Sequence, residues 1–168
     1  MHRPMRRKRQ ELSEDETLEL LDRTTSGVLS LVDGDGPYGV PLSHARVGRT
    51  IYLHCAPEGR KLDALHGCPR GSFCAVAQDQ VAPERFTTFF RSAMAWGPVR
   101  VVDDEAEGLA GLRALAQKFA PGDEAGAEAE IEGARGRVLV LALDMEGVSG
   151  KEAIELTRMR PAKSGQAE

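Results

Sequence analysis

Cysteine is scarce, and the three that occur make no CxxC pair. Cys55, Cys68 and Cys74 cannot all pair within one chain, so a disulfide framework is excluded. Unpaired thiols point to the reducing cytoplasm, and Cys68 and Cys74 read as inert structural groups. No stretch reaches the roughly 18 apolar residues of a membrane span. No apolar run follows the basic cluster Arg3, Arg6, Arg7, Lys8 and Arg9, so a secretory signal is not expected either. Neither sign of charge dominates: the net charge is −4, which gives no general attraction to nucleic acid or anionic membranes. The basic cluster is read as part of a flexible, solvated N-terminus, residues 1–12. His2, His44, His54 and His66 show no HExxH spacing, and no metal site is assigned. No GxGxxG follows a strand, and Walker and GxSxG motifs are missing. A Rossmann dinucleotide site, a P-loop and serine-hydrolase chemistry therefore lack support.

What remains is an ordinary globular composition, 41% apolar and 29% charged over 168 residues, enough for one domain with a real core. That domain is placed at 13–160, with a disordered tail at 161–168. Ser13-Glu14-Asp15-Glu16 is a capping box opening a short helix to about Asp22. Gly27–Val32 reads as a strand, joined through the Asp33-Gly34-Asp35-Gly36 turn to a second at Tyr38–Val47. Gly48-Arg49 turns the chain into Thr50–His54, which predicts three consecutive antiparallel strands. Further strands are expected at residues 71–77, Phe89–Val102 and Arg137–Leu143. Gly97-Pro98 should mark a bulge or edge, because proline cannot donate to a ladder. Val81–Thr88 reads as a loop, Glu105–Phe119 as a helix, and Pro121–Gly136 as a flexible excursion. The sum is a mainly β chain with accessory helices, an antiparallel barrel of six strands.

The most informative stretch is Ile51–Leu65, IYLHCAPEGRKLDAL. A β-rich run ends at His54, and a helical pattern begins after Glu58-Gly59-Arg60-Lys61. Such a turn sets unpaired helix-start amides beside two cations, a combination that suits a phosphate. Arg60 offers a planar fork and Lys61 a point charge; equally, the two can be solvated first-turn cations. Within the apolar strand around Arg91-Ser92, alternation is read as turning Arg91 outward and Ser92 inward. Trp96, the single tryptophan, reads as core.

In order and spacing, the segments YLHCAPEGRKLDAL and TTFFRSAMAWG resemble the pyridoxamine 5′-phosphate oxidase-like flavoproteins, and most closely their nitroimidazole-resistance branch. The match runs from about Arg6 to Leu143. It implies a six-stranded split β-barrel that binds FMN at a homodimer interface. By position, Gly59, Arg60 and Lys61 inherit the phosphate turn, and His54, Cys55 and Ala56 run along the flavin and ribityl chain. Ser43 faces the cofactor, Ser92 reaches the isoalloxazine ring, and His54 lies near the reactive flavin edge. Many relatives carry asparagine where this chain has Ser43. No counterpart of the oxidases' C-terminal substrate-binding residues is found in Lys151–Glu168, which disfavours pyridoxamine phosphate oxidation.

The expected function is an FMN-dependent, NAD(P)H-driven reductase of small nitroaromatic or quinone-like acceptors, with His54 as the catalytic residue. One alternative is a deazaflavin, F420, in place of FMN. Its longer acidic tail would need cations beyond Lys61, and Arg70 is the only later one within Tyr52–Arg70. Another is a non-catalytic flavin- or haem-binding module, with His54-Cys55 as possible iron ligands. The expected partners are a second copy of the chain and a small-molecule acceptor, with neither nucleic acid nor membrane.

Overall fold

The computed structural model describes residues 4–160. The expected tail at 161–168 and Arg3 of the basic cluster lie outside the described residues.

Ser13 caps α1 (Glu14–Arg23) as a complete capping box: its Oγ accepts the Glu16 N–H, and the Glu16 carboxylate accepts the Ser13 N–H. The buried face of α1 is Thr17, Leu20 and Leu21. Ahead of it, β1 (Glu11–Leu12) pairs with the late strand β9 (Gly147–Glu152), and the Gln10 amide donates to the Glu152 carbonyl at 2.9 Å. Residues 8–12 are thus tied into the fold, which corrects the flexible reading of this end of the N-terminus. The cause is a backbone-satisfying contact whose partner lies 142 residues away.

The hairpin β2 (Ser26–Asp33) and β3 (Gly36–Ser43) is in full register, and the Asp33 carboxylate accepts the Asp35 N–H at 2.9 Å to close the turn. The expected single strand Tyr38–Val47 breaks at His44. Beyond it, β4 (Ala45–Val47) pairs with β5 (Thr50–Cys55) rather than continuing the first hairpin. The three-strand meander predicted for 27–54 is therefore two separate hairpins. His44 is the pivot: it is fully buried, it lies 4.6 Å from the Phe73 ring, and its Nε2–H donates to the Leu21 carbonyl at 2.8 Å.

After α2 (Arg60–Gly67), the long strands β6 (Arg70–Ala82) and β7 (Thr87–Val101) form the spine. The loop expected at Val81–Thr88 shrinks to a single turn, Pro83–Arg85, followed by Phe86 at φ 49°. At Gly97-Pro98, β7 changes partner, from β9 up to Trp96 to β8 (Leu139–Asp144) from Val99. The register shift itself lies elsewhere, in β6 between Val76 and Gln78, where that strand faces Ser92 and Arg91. The proline is tolerated because the strand is handing over its ladder there.

All pairings among the described residues are antiparallel, and the path β3-β2-β6-β7-β8-β5-β4 does not close. The mainly β, helix-decorated antiparallel architecture is as expected. Short strands β1, β4 and β9 bring the total to nine among the described residues. The core is Leu21, Leu29, Ile51, Leu53, Phe73, Leu141 and Leu143, with small Ala75, Ala93 and Ala95 letting the sheets approach.

The excursion Pro121–Gly136 is mostly helical: α4 (Glu124–Ala134) folds back on α3 (Glu105–Phe119). Asp123 caps α4 by accepting the Gly126 N–H at 2.9 Å, and Arg113 pairs bidentately with Glu128 across the two helices. Alanine-rich sequence favours helix when a neighbour lies alongside. A short α5 (Ile154–Met159) ends the described chain. No helix among the described residues is long and apolar enough to cross a membrane.

Candidate functional site

Strand β5 has two working faces. Ile51, Leu53 and Cys55 enter the core, while Tyr52 and His54 point the other way. Against this second face lies α3, brought close by Gly111: a Cβ there would sit 2.8 Å from the Tyr52 ring. The Tyr52 hydroxyl donates to Glu107 at 3.1 Å, and Arg100 grips Glu107 and Asp144 together. Burial, then the Glu107 carboxylate, pushes the Tyr52 phenol above its ordinary range.

Where α3 and α4 reach past β5, a cleft of about 470 Å³ opens. Ser43 and His54 line it, with Leu112, Leu115, Phe119 and Ile131 as apolar walls. Ser43 at the end of β3 and His54 on β5 thus share one concavity. Of the helical walls, α3 was expected as a helix, with Leu112, Leu115 and Phe119 spaced along one face, whereas the Gly/Ala/Glu-rich α4 carries no binding motif in its sequence.

The turn after β5 is open and polar. Ala56, Pro57, Glu58, Gly59 and Arg60 are exposed. Gly59 stands at φ 119°, a conformation L side chains rarely adopt, and starts α2 without any side-chain cap. Arg60 is partly committed: its Nε donates to Asp33, and its guanidinium lies 4.6 Å from the centroid of the Tyr38 ring. That guanidinium holds the Asp33 carboxyl below its usual range. Asp33 and Tyr38 belong to the β2–β3 hairpin and were not anticipated, since only the fold carries them to α2. Lys61 is half-buried beside Cys55, whose thiol is pushed up by burial. The Cys55 side chain faces the core, so at this position only the backbone is presented outward.

Ser92 departs from the expected orientation. Ala93 and Ala95 face the core, so Ser92 lies on the opposite face with exposed Met94. Arg91 turns toward Glu152, pairing at 3.1 Å with a carboxylate side chain that is 2% exposed. The buried carboxylate is tolerated there because Arg91, Arg160 and Thr157 all donate to it. Trp96 likewise lies on the Met94 face, against Gly147, rather than in the core.

Among the described residues no group of three or more His, Cys, Asp or Glu is placed to hold a metal ion. His44 is held neutral: burial, then nearby Lys118, lowers its pKa from 6.5 to about 4.

Among solved structures, the chain is similar to a FAD and haem binding protein from Mycobacterium smegmatis. They are 26% identical, with 87% of this chain and 74% of that one covered and a TM-score of 0.71. A flavocytochrome from Azotobacter vinelandii is 21% identical over 95% and 79% of the two chains, with a TM-score of 0.74. A candidate 5-nitroimidazole antibiotic resistance protein from Bacteroides thetaiotaomicron is 19% identical over 84% and 86%, with a TM-score of 0.69. No curated protein matches the sequence. The family model described as pyridoxamine 5′-phosphate oxidase matches residues 13–152, which is most of the chain, and the protein belongs to that family.

Proposed function

We propose that this protein binds FMN and uses it to pass electrons from NAD(P)H to small nitroaromatic or quinone-like acceptors. The observation that carries the reading is the path along β5. It leads from His54, open to an apolar cleft, to an uncapped helix start flanked by Arg60 and Lys61. Those residues fit a flavin mononucleotide. The first amides of α2 and the Lys61 ammonium suit its phosphate, and the exposed backbone at Ala56 suits the ribityl chain. Ser43 offers a hydroxyl to the ring, and His54 an imidazole nitrogen that can hold or deliver a proton near the acceptor. FMN when bound supplies the electron chemistry; the chain binds, orients and shields it.

FMN is preferred over F420 because Arg70, the next cation, is taken up by bidentate pairing with Glu146. Relatives at this level of similarity bind FAD and haem, which supports a flavin in general.

A homodimer is part of the proposal. Val28, Cys74 and Met94 lie in register across β2, β6 and β7, and Val28 and Met94 are 38% and 42% exposed. A second copy seated there would cover this apolar row and bring Ser92 under the same cover. A cytoplasmic location accords with the three free thiols.

One observation favours a second reading. An exposed histidine opening into an apolar cleft also suits haem, with His54 as an axial ligand. The absorbance spectrum of the protein as purified separates the two, and anaerobic addition of NADPH or NADH then tests turnover. Flavin absorbance that bleaches supports the reductase. A Soret band, or a flavin that neither nicotinamide reduces, contradicts it.

A further inference from the structure

The cleft beside β5 has Ser43 and His54 of the barrel at one side and the α3–α4 hairpin as most of its wall, and the fixed charges in its lining are all of one sign. We propose that it is an acceptor pocket for flat aromatic molecules that are neutral or cationic, and that it discriminates against anions. The inference rests on the flavin reading for its role in turnover, although the pocket itself is argued from its own lining.

Its volume of about 470 Å³ suits a ligand of one or two rings. The walls are apolar, and Ala116 and Ala127 leave room where larger side chains would fill it. The charged groups of the lining are Asp123 and Glu130, both exposed, and the lining contains no Lys or Arg. Asp123 is fixed in place by capping α4. The one further titratable group is His54 from β5. A carboxylate-bearing ligand would meet two like charges with no cation to offset them, whereas an ammonium would be attracted.

The test uses three nitroaromatics of similar size, titrated calorimetrically into the purified full chain. They are 4-nitrobenzyl alcohol (neutral), 4-nitrobenzylamine (cationic) and 4-nitrobenzoate (anionic). The alcohol and amine should saturate. The benzoate should bind about fivefold more weakly at low salt, with the gap closing in about 0.5 M salt. Glu130→Gln, an exposed change, should narrow the gap. Ala127→Trp should weaken all three about tenfold or more while FMN binding is retained. Equal affinity for the benzoate overturns the proposal. So does intact probe binding in a folded Ala127→Trp variant, loss of FMN binding in that variant (the cleft would then be the flavin's own), or haem filling the cleft. Probe binding as predicted, with FMN failing to bind the wild type, overturns the flavin reading and leaves the pocket standing.

Discussion

The turn after β5 and the cleft beside it are neighbours built in opposite ways. The turn packs its chemistry into consecutive residues 58–61, where amides and cations are set by local geometry. The cleft joins Ser43 and His54 to helix faces much later in the chain, and its working surface is apolar. A local anion site is written as a word in the sequence; an apolar pocket exists only once distant segments have docked. Arg60 belongs to both kinds, since its position is local but its partners Asp33 and Tyr38 come from another hairpin.

The largest expected effect separates the two faces of β5. Leu53→Ala removes a fully buried side chain from the core and should cost about 2–5 kcal/mol in denaturant unfolding. His54→Ala, on the exposed face, should cost far less stability. Equal losses would mean that β5 is not the divider described.

Next comes the pivot at His44. Its pKa is about 4 in the folded protein against 6.5 ordinarily, so the unfolded chain binds the extra proton first as pH falls. Stability should be complete above about pH 6.5 and decline by up to about 3 kcal/mol toward pH 4. Unfolding midpoints measured across that range, compared with His44→Gln, check this; an unchanged slope in the variant would contradict it.

The smallest effect is at the α3 contact. Tyr52→Phe loses the bond to Glu107 and should cost about 1 kcal/mol. Because Tyr52 seats α3, hydrogen exchange in residues 105–119 should quicken while the β2–β3 hairpin stays unchanged. Uniform quickening would show that the cleft wall is not a separable unit.

Much of the barrel was legible from alternation and turn residues: the capping box at Ser13, the Asp33–Gly36 turn, the Gly48 turn and the long strands around Phe73 and Trp96. What was not legible depended on tertiary partners. The break at His44 needs Leu21 and Phe73 to bury the ring. Strand β9 is nearly devoid of large apolar residues and exists because β7 and β1 flank it. Arg91 keeps the alternation of β7 but shares the face of Ala93 and Ala95, because Glu152, from that same unseen strand, receives it. Helix α4 has little apolar face of its own and depends on α3. At the site, the Gly59–Lys61 turn could be picked out from spacing, whereas the pocket walls and the Asp33 tether could not.

The central claim is that the start of α2 holds the phosphate of a flavin mononucleotide. FMN and riboflavin, identical but for that phosphate, should be titrated into the wild type and into the variant carrying Arg60→Ala and Lys61→Ala. FMN affinity should fall about 100-fold in the variant while riboflavin affinity stays nearly constant. Unchanged FMN affinity, or an equal loss for both ligands, would contradict the account.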